Sequence, residues 1–484
     1  MLTLADGLTR EFLLHHKLCP RRLTDDGAEL VVAAGPGALL DGAGDIAFAY
    51  RKPAAIEEVP AEELERLVER LTNRSERTIE LARADVGADD LAADVRDLAN
   101  QPPVIRYVNL LVRDAYDAAA SDIHLEATRT GLAARFRVDG VLVPAPEPPS
   151  ALHHAVVSRV KLLAELDISE RRRPQDGRIR VRLENRELDL RVSTVPTMYG
   201  ESVVLRLLDR GGRPVELAEL GMGDEVLRAI TSIARQPHGM LLVTGPTGSG
   251  KTTTLYAALQ SRDPSTEKII TVEDPIEYQL PGITQVPVHR QAGVTFGAAL
   301  RAILRQDPDV VMVGEMRDTE TAEIAIQAAM TGHLVFSTLH TNDSVGAVPR
   351  LLDLGVPDYL VAATVEGVLA QRLVRKLCPD CRVPYEPNAE TVAVVAGRPV
   401  GRVTLVRGAG CPACRGTGYR GRVGVFELLA MSDDLRDAIV ARAPRSQLRA
   451  IAEREGHQPM RADGWLKVQA GLTTVEEVIR VVQD

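Results

Sequence analysis

Aromatic side chains are scarce in this 484-residue sequence, where Phe, Tyr and Trp together make up 3%. The core must therefore rest on Leu, Val, Ile and Ala, and few rings remain to stack on nucleic-acid bases. Basic residues are outnumbered, with 58 Lys and Arg against 67 Asp and Glu, for a formal charge of −9. That balance argues against a surface built to grip phosphodiester backbones, and no direct nucleic-acid partner is expected. No apolar run reaches the roughly 18 residues of a membrane-spanning helix. Residues 1–20 mix charged and apolar positions and lack the basic-then-apolar order of an export signal. Cysteine is sparse at five residues, four of them in two CxxC pairs. Such pairs suit a metal in a reducing compartment better than a disulfide framework, and Cys19, alone, reads as a small buried hydrophobe. The predicted location is cytoplasmic, with membrane association only through partners.

The length exceeds that of one core, and no repeat of about 20–50 residues is present. Residues 1–100 form a first region, in which Leu64, Leu67, Val68 and Leu71 share a helical face. Residues 85–100, rich in Asp and Ala, run into Gln101-Pro102-Pro103, a hinge. Residues 101–210 read as a small α+β domain. Val104, Ile105, Val108, Leu111, Val112 and Ala115 line one helix face, and two hairpins follow. One turns at Asp139-Gly140; the other alternates Ile179, Val181 and Leu183 with arginines, then continues through Leu188, Leu190 and Val192. Arg210-Gly211-Gly212-Arg213-Pro214 reads as a flexible joint. In residues 211–375, apolar runs at 240–244, 269–272, 310–313 and 334–339 alternate with helices, the pattern of a parallel sheet covered on both faces. Residues 376–420 carry the paired cysteines, and residues 421–484 read as a helical region. The fold class is α/β.

The sharpest motif is Gly245-Pro246-Thr247-Gly248-Ser249-Gly250-Lys251-Thr252, which follows an apolar strand and opens a helix beginning at Thr253. A phosphate chain needs many N–H donors converging with no side chains in the way. Glycines permit that backbone, and a helix N-terminus adds its partial positive charge. Lys251 is placed to reach β- and γ-phosphates, and the Thr252 hydroxyl to ligate Mg²⁺. A Gly-rich turn with no ligand is the plainer alternative.

A second acidic strand, Asp309-Val310-Val311-Met312-Val313-Gly314-Glu315, delivers Glu315 to its carboxyl end, where a carboxylate polarises an attacking water. Many phosphate-loop proteins carry a metal-side Asp where this sequence has Gly314. Glu273, ending another apolar strand, is the candidate to hold the metal's outer shell. Each carboxylate could instead be a local cap. Arg301, Arg305 and Arg317 lie near in sequence and suit the spreading charge of a departing phosphoryl group; solvated or locally paired arginines are the alternative. His340 reads as a γ-phosphate sensor or as a core histidine satisfied by hydrogen bonds.

Cys378-Pro379-Asp380-Cys381 and Cys411-Pro412-Ala413-Cys414 are two CxxC knuckles. Four thiolates make a closed tetrahedral Zn²⁺ site with no open position, so the predicted metal is architectural. A redox pair is the rival, but nothing thioredoxin-like surrounds either motif.

From about Val104 onward the sequence resembles the type II secretion and type IV pilus assembly ATPase family. The resemblance rests on the phosphate loop, Ile270-Thr271-Val272-Glu273-Asp274-Pro275-Ile276-Glu277, the run Leu300–Asp309 and Thr331–Asp343. Ser121-Asp122-Ile123-His124, Pro174–Arg178, Arg191–Thr194 and Leu369-Ala370-Gln371-Arg372-Leu373 before the cysteines extend it. It implies a RecA-like C-terminal domain, a PAS-like middle domain, a mainly helical N-terminal domain and a homo-hexameric ring. It further implies ATP hydrolysis with Mg²⁺, Glu315 as catalytic carboxylate and Lys251 on the phosphates. Arg191 and Arg206 match nucleotide-contacting arginines of the middle domain, and Arg301, Arg305, Arg317 and Arg422 match arginines around the site or subunit boundary. Residues 1–100 are expected to dock on inner-membrane platform proteins. Within the family the secretion branch is the closer resemblance, with pilus extension as the alternative. Met316, where Ile is usual, is a departure that affects packing only.

Overall fold

The structure is a computed structural model that describes residues 10–24, 29–50, 52–61, 63, 64, 67, 68, 80, 81, 99–183, 186–209 and 215–482. Two compact units emerge: Met1–Phe136 with Val143–Leu208, and Arg137–Leu142 with Asp209–Asp484.

In the first unit, the described N-terminal residues add a small sheet to the helices that were expected. These residues form a three-stranded sheet of Leu18–Leu23, Leu30–Ala34 and Ala54–Glu58, with short helices Arg10–His16 and Gly42–Tyr50. The five residues of Leu30–Ala34 are all buried. A short apolar run of that kind carries no periodicity to separate strand from helix. Leu64 and Val68 are buried in this core with Leu67 packed against it, whereas Leu71 and all of 85–98 lie outside the described residues. Cys19 is fully buried, and burial pushes its thiol up to about 12, as befits an inert apolar residue.

The middle part follows its pattern closely. The helix Pro102–Asp117 buries Val104, Val108, Leu111, Val112 and Ala115. Ile105, on the edge of that face, is only half-buried. The first hairpin turns through Asp139 and Gly140 at φ 49° and 85°, the left-handed pair that a tight hairpin turn requires. In the second, Ile179 faces Leu190 and Val181 faces Leu188 across an antiparallel ladder. Its arginines Arg178, Arg180 and Arg182 alternate outward and are exposed.

The second unit is built on a seven-stranded sheet in the order Thr284–Pro287, Ile269–Glu273, Val310–Val313, Leu334–Leu339, Gly239–Thr244, Val365–Leu377 and Tyr419–Ala430. All neighbours are parallel except the last pair. Four central strands are buried along their whole length, as expected for a sheet with helices on both faces. Two apolar clusters, one per face, pack these helices. The region expected to be helical from 421 begins instead inside Tyr419–Ala430, a twelve-residue strand paired with Val365–Leu377. Helices Asp433–Val440, Arg445–Arg454, Met460–Gln469 and Val475–Val482 follow. The cysteine segment is thus an excursion between two hydrogen-bonded neighbouring strands, and Arg422, near its base, is already part of the sheet.

Candidate nucleotide site and tetracysteine cluster

The strand Gly239–Thr244 hands directly to the loop 245–250, and the helix Lys251–Gln260 begins with Gly250 as its cap residue. Gly248 and Gly250 adopt φ of 79° and 88°, and Gly245 reaches 148°. A Cβ at Gly245 would lie 2.4 Å from the Gln371 carbonyl oxygen, and one at Gly250 2.8 Å from Gln371 Nε2. Glycine is required here by both conformation and space. Pro246, Thr247 and Gly248 are exposed, Lys251, Thr252 and Thr253 are half-buried, and Ser249 is 3% exposed. Among the described residues the buried Ser249 hydroxyl has no protein partner. An orphaned polar atom in a glycine loop at a helix N-terminus is what a phosphate-binding cradle offers.

Lys251 folds back over the loop, donating from Nζ to the carbonyls of Gly245 at 2.8 Å and Pro246 at 3.0 Å. Burial lowers its pKa to about 8, with Glu315 opposing and Arg372 reinforcing the shift. Glu315 stands two residues beyond the strand Val310–Val313 with a side chain 15% exposed. Its carboxylate is 2.7 Å from Arg317 Nε and 3.8 Å from His340 Nε2. The strand ends are knit together, since Ser337 Oγ donates to Val313 O at 2.8 Å and Thr338 Oγ1 to Gly314 O at 2.7 Å. His340 follows the strand Leu334–Leu339, and its ring also engages the Gly245 backbone. Burial holds its pKa down, helped by Lys251 and Arg317 and opposed by Glu315. Parallel strands therefore converge Lys251, Glu315, Arg317 and His340 at their carboxyl ends, where α/β sheets bind ligands.

The other predicted site residues are placed differently. Glu273 is 3% exposed, and its carboxylate accepts hydrogen bonds from Thr271 Oγ1 at 2.6 Å, Gln285 Nε2 at 3.1 Å and the Tyr256 hydroxyl. Burial raises its pKa despite these bonds. Arg301 Nη2 pairs with Glu320 at 2.5 Å, and Arg305 Nη1 donates to the Arg301 carbonyl at 2.8 Å. Neither contact involves the phosphate loop of its own chain. Arg206 and Arg191 belong to the first unit: Arg206 donates to Asp122 at 2.9 Å, and Arg191 stands opposite Arg178 in the second hairpin. Two residues at the loop escaped sequence reasoning as site residues. Gln371 contacts it from the strand Val365–Leu377, and Arg372 donates to the Asn342 carbonyl at 3.1 Å beside it. Both lie over a hundred residues from the loop. The signal in the sequence was the motif Leu369–Leu373, which carried the resemblance but assigned neither residue to the loop.

The four paired cysteines converge. All four sulfurs lie within 4.8 Å of one another, with Cys378–Cys411 at 3.8 Å, Cys381–Cys414 at 3.9 Å and Cys411–Cys414 at 3.7 Å. A tetrahedron with Zn–S bonds of about 2.3 Å has edges near 3.8 Å, so the donor set fits zinc. Cys414 Sγ also accepts from the backbone N–H groups of Cys411 at 3.1 Å and Gly418 at 3.2 Å, contacts that stabilise a thiolate.

A glycine loop between a buried parallel strand and a helix, faced by a carboxylate and a histidine from neighbouring strands, defines a phosphate-loop nucleotide-binding fold. Residues 97–480 match the family described as Type II/IV secretion system protein. The chain is 46% identical, over its whole length and 86% of the relative, to Type II secretion system protein E of Xanthomonas campestris pv. campestris. It is 48% identical to Type II secretion system ATPase E of Vibrio cholerae, over 81% of this chain and 78% of that one. It is 47% identical to the type IV pilus assembly ATPase PilB of Myxococcus xanthus, over 79% and 68%. Among solved structures, the pilus retraction motor PilT with bound ADP superposes with a TM-score of 0.52 at 27% identity, over 76% of this chain and 95% of that one. The Legionella pneumophila ATPase DotB shares the fold, with a TM-score of 0.56 at 21% identity, over 77% and 94%. The chain belongs to the type II/IV secretion system protein family.

Proposed function

We propose that this chain hydrolyses ATP with Mg²⁺ and, as a ring of six copies, drives pseudopilus assembly and protein export by a type II secretion system. The observation that carries the reading is the convergence of Lys251 and the loop 245–250 with Glu315 and His340 at the carboxyl ends of the central strands. The loop's N–H groups, with Gly245, Pro246, Thr247, Gly248, Ser249, Gly250 and Thr253 shaping it, bind the phosphates. Lys251 neutralises them, and its present carbonyl partners are easily exchanged for phosphate oxygens. Glu315 orients and polarises the water, while Arg317 holds the carboxylate and His340 reads the terminal phosphate. The Thr252 hydroxyl would hold Mg²⁺, which when bound offsets charge on the β- and γ-phosphates. Glu273, enclosed by Tyr256, Thr271 and Gln285, stiffens the strand beside the site and acts on the metal's outer shell. By the family resemblance Arg191 and Arg206 contact nucleotide, and Arg301 and Arg305 act at the site of a neighbouring copy.

Cys378, Cys381, Cys411 and Cys414 would hold Zn²⁺, which would tie the ends of the excursion and leave no open position for hydrolysis. Residues 1–100 dock on inner-membrane platform proteins from the cytoplasm. Among the described residues no helix is long and apolar enough to cross a membrane. The similarity to a pilus assembly ATPase keeps pilus extension as a second reading. The Xanthomonas secretion relative, matched over the whole chain, favours secretion.

The test is Glu315→Gln. It should leave ADP binding intact and lower steady-state ATP hydrolysis at least about a hundredfold. Hydrolysis at the wild-type rate in that variant would remove Glu315 from the chemistry.

A further inference from the structure

Gln371 lies in the middle of an apolar strand and is 2% exposed. A buried amide is costly unless its hydrogen-bonding groups are used. Here both ends are. Its Oε1 accepts from Thr254 Oγ1 at 2.6 Å, and its Nε2 donates to the Ser249 carbonyl at 2.8 Å. Ser249 closes the phosphate loop, and Thr254 sits in the first turn of the following helix. One side chain thus fastens the end of the loop to the start of the helix.

The same residue bounds the loop at both ends. Its carbonyl oxygen is the atom that a Cβ at Gly245 would strike, and its Nε2 the one that a Cβ at Gly250 would strike. The Ser249 hydroxyl adds no anchoring bond. Glycines that adopt positive φ easily also leave it easily, so a loop rich in them needs an outside brace to keep its N–H groups aimed at one point.

We propose that Gln371 is a positioning residue for nucleotide binding. It holds the loop 245–250 in its anion-gripping form without itself touching the nucleotide. This rests on the proposed ATP site. Gln371→Met keeps length and volume but removes both hydrogen bonds. It should weaken binding of a fluorescent ADP analogue about tenfold and raise KM for ATP similarly, while kcat at saturation stays within about twofold. Thr254→Val, a milder change, removes only the Oε1 bond and should weaken binding severalfold. The double variant should be no worse than Gln371→Met, because the two share one interaction.

Thermal melting of each variant separates bracing from bulk stability. A folded Gln371→Met or Thr254→Val that binds the ADP analogue as wild type does overturns the proposal. So does a loss of binding that merely tracks the fraction unfolded. If wild type binds the analogue and the variants do too, only the bracing role falls. If wild type binds none, the nucleotide reading falls with it.

Discussion

At the scale of single residues, Lys251 shows how burial tunes a charge. Removing an ammonium from water lowers its pKa, here to about 8 from the ordinary 10.5. Between those values the unfolded chain binds more protons than the folded one, so the lysine's contribution to folding becomes more favourable as pH rises through that window. Nucleotide binding should respond in the opposite sense, because phosphate oxygens stabilise the protonated amine. ADP affinity is expected to fall as pH rises above about 8, and binding near pH 8.5 should take up a proton. Calorimetry in two buffers of different ionisation enthalpy reads that uptake directly. Equal heats in both would show that Lys251 does not change its charge on binding. Glu273 illustrates a different use of burial, since a carboxylate enclosed by three side-chain donors is suited to fixing a strand end rather than exchanging protons.

At the scale of elements, the sheet converts sequence separation into proximity. Three central strands deliver the loop, Glu315 and His340 at their carboxyl ends, and a fourth brings Gln371 beneath the loop. That fourth strand continues directly into Cys378. The segment between the knuckles includes only a two-stranded ladder, Arg382–Tyr385 with Leu405–Gly408, and a short helix, Ala389–Ala396. Gly408 and Gly418 pack so closely that a Cβ at Gly408 would sit 2.1 Å from the Gly418 carbonyl oxygen. Val392, Val395 and Leu405 pack the segment against Met460, Trp465 and Val468, and the four cysteines sit at its base. Elemental analysis should find one zinc per chain, and Cys414→Ser or a strong chelator should lower Tm by roughly 10 °C. Unchanged melting after complete metal removal would show that the hairpin base holds the excursion unaided.

At the scale of the whole molecule, Arg301 and Arg305 have no contact with the phosphate loop of their own chain, which fits a role at a neighbouring copy's site. Arg301→Ala should bind ADP like wild type yet lose at least about tenfold in hydrolysis. Mixing it with Glu315→Gln should restore part of the activity. Mixed rings would contain some interfaces where an intact Glu315 faces an intact Arg301. If activity in the mixture merely equals the average of the two variants, the arginine does not act across a boundary.

The sequence by itself marked the phosphate loop, the acidic strand end at Glu315, the thiolate set and the alternation of strands and helices, because each is a local pattern of residues close in the chain. The hairpins of the middle domain were legible for the same reason, with Asp139-Gly140 and the Ile179–Val192 alternation leaving one register. Tertiary structure decided the rest. Short apolar runs such as Leu30–Ala34 have no period that separates strand from helix, and burial on both faces settled the question only in the fold. Glu273 and Glu315, similar in sequence as acids ending apolar strands, parted according to what packs around them. Gln371 acquired its place at the phosphate loop only through parallel pairing of strands more than a hundred residues apart, a relation that no local spacing encodes.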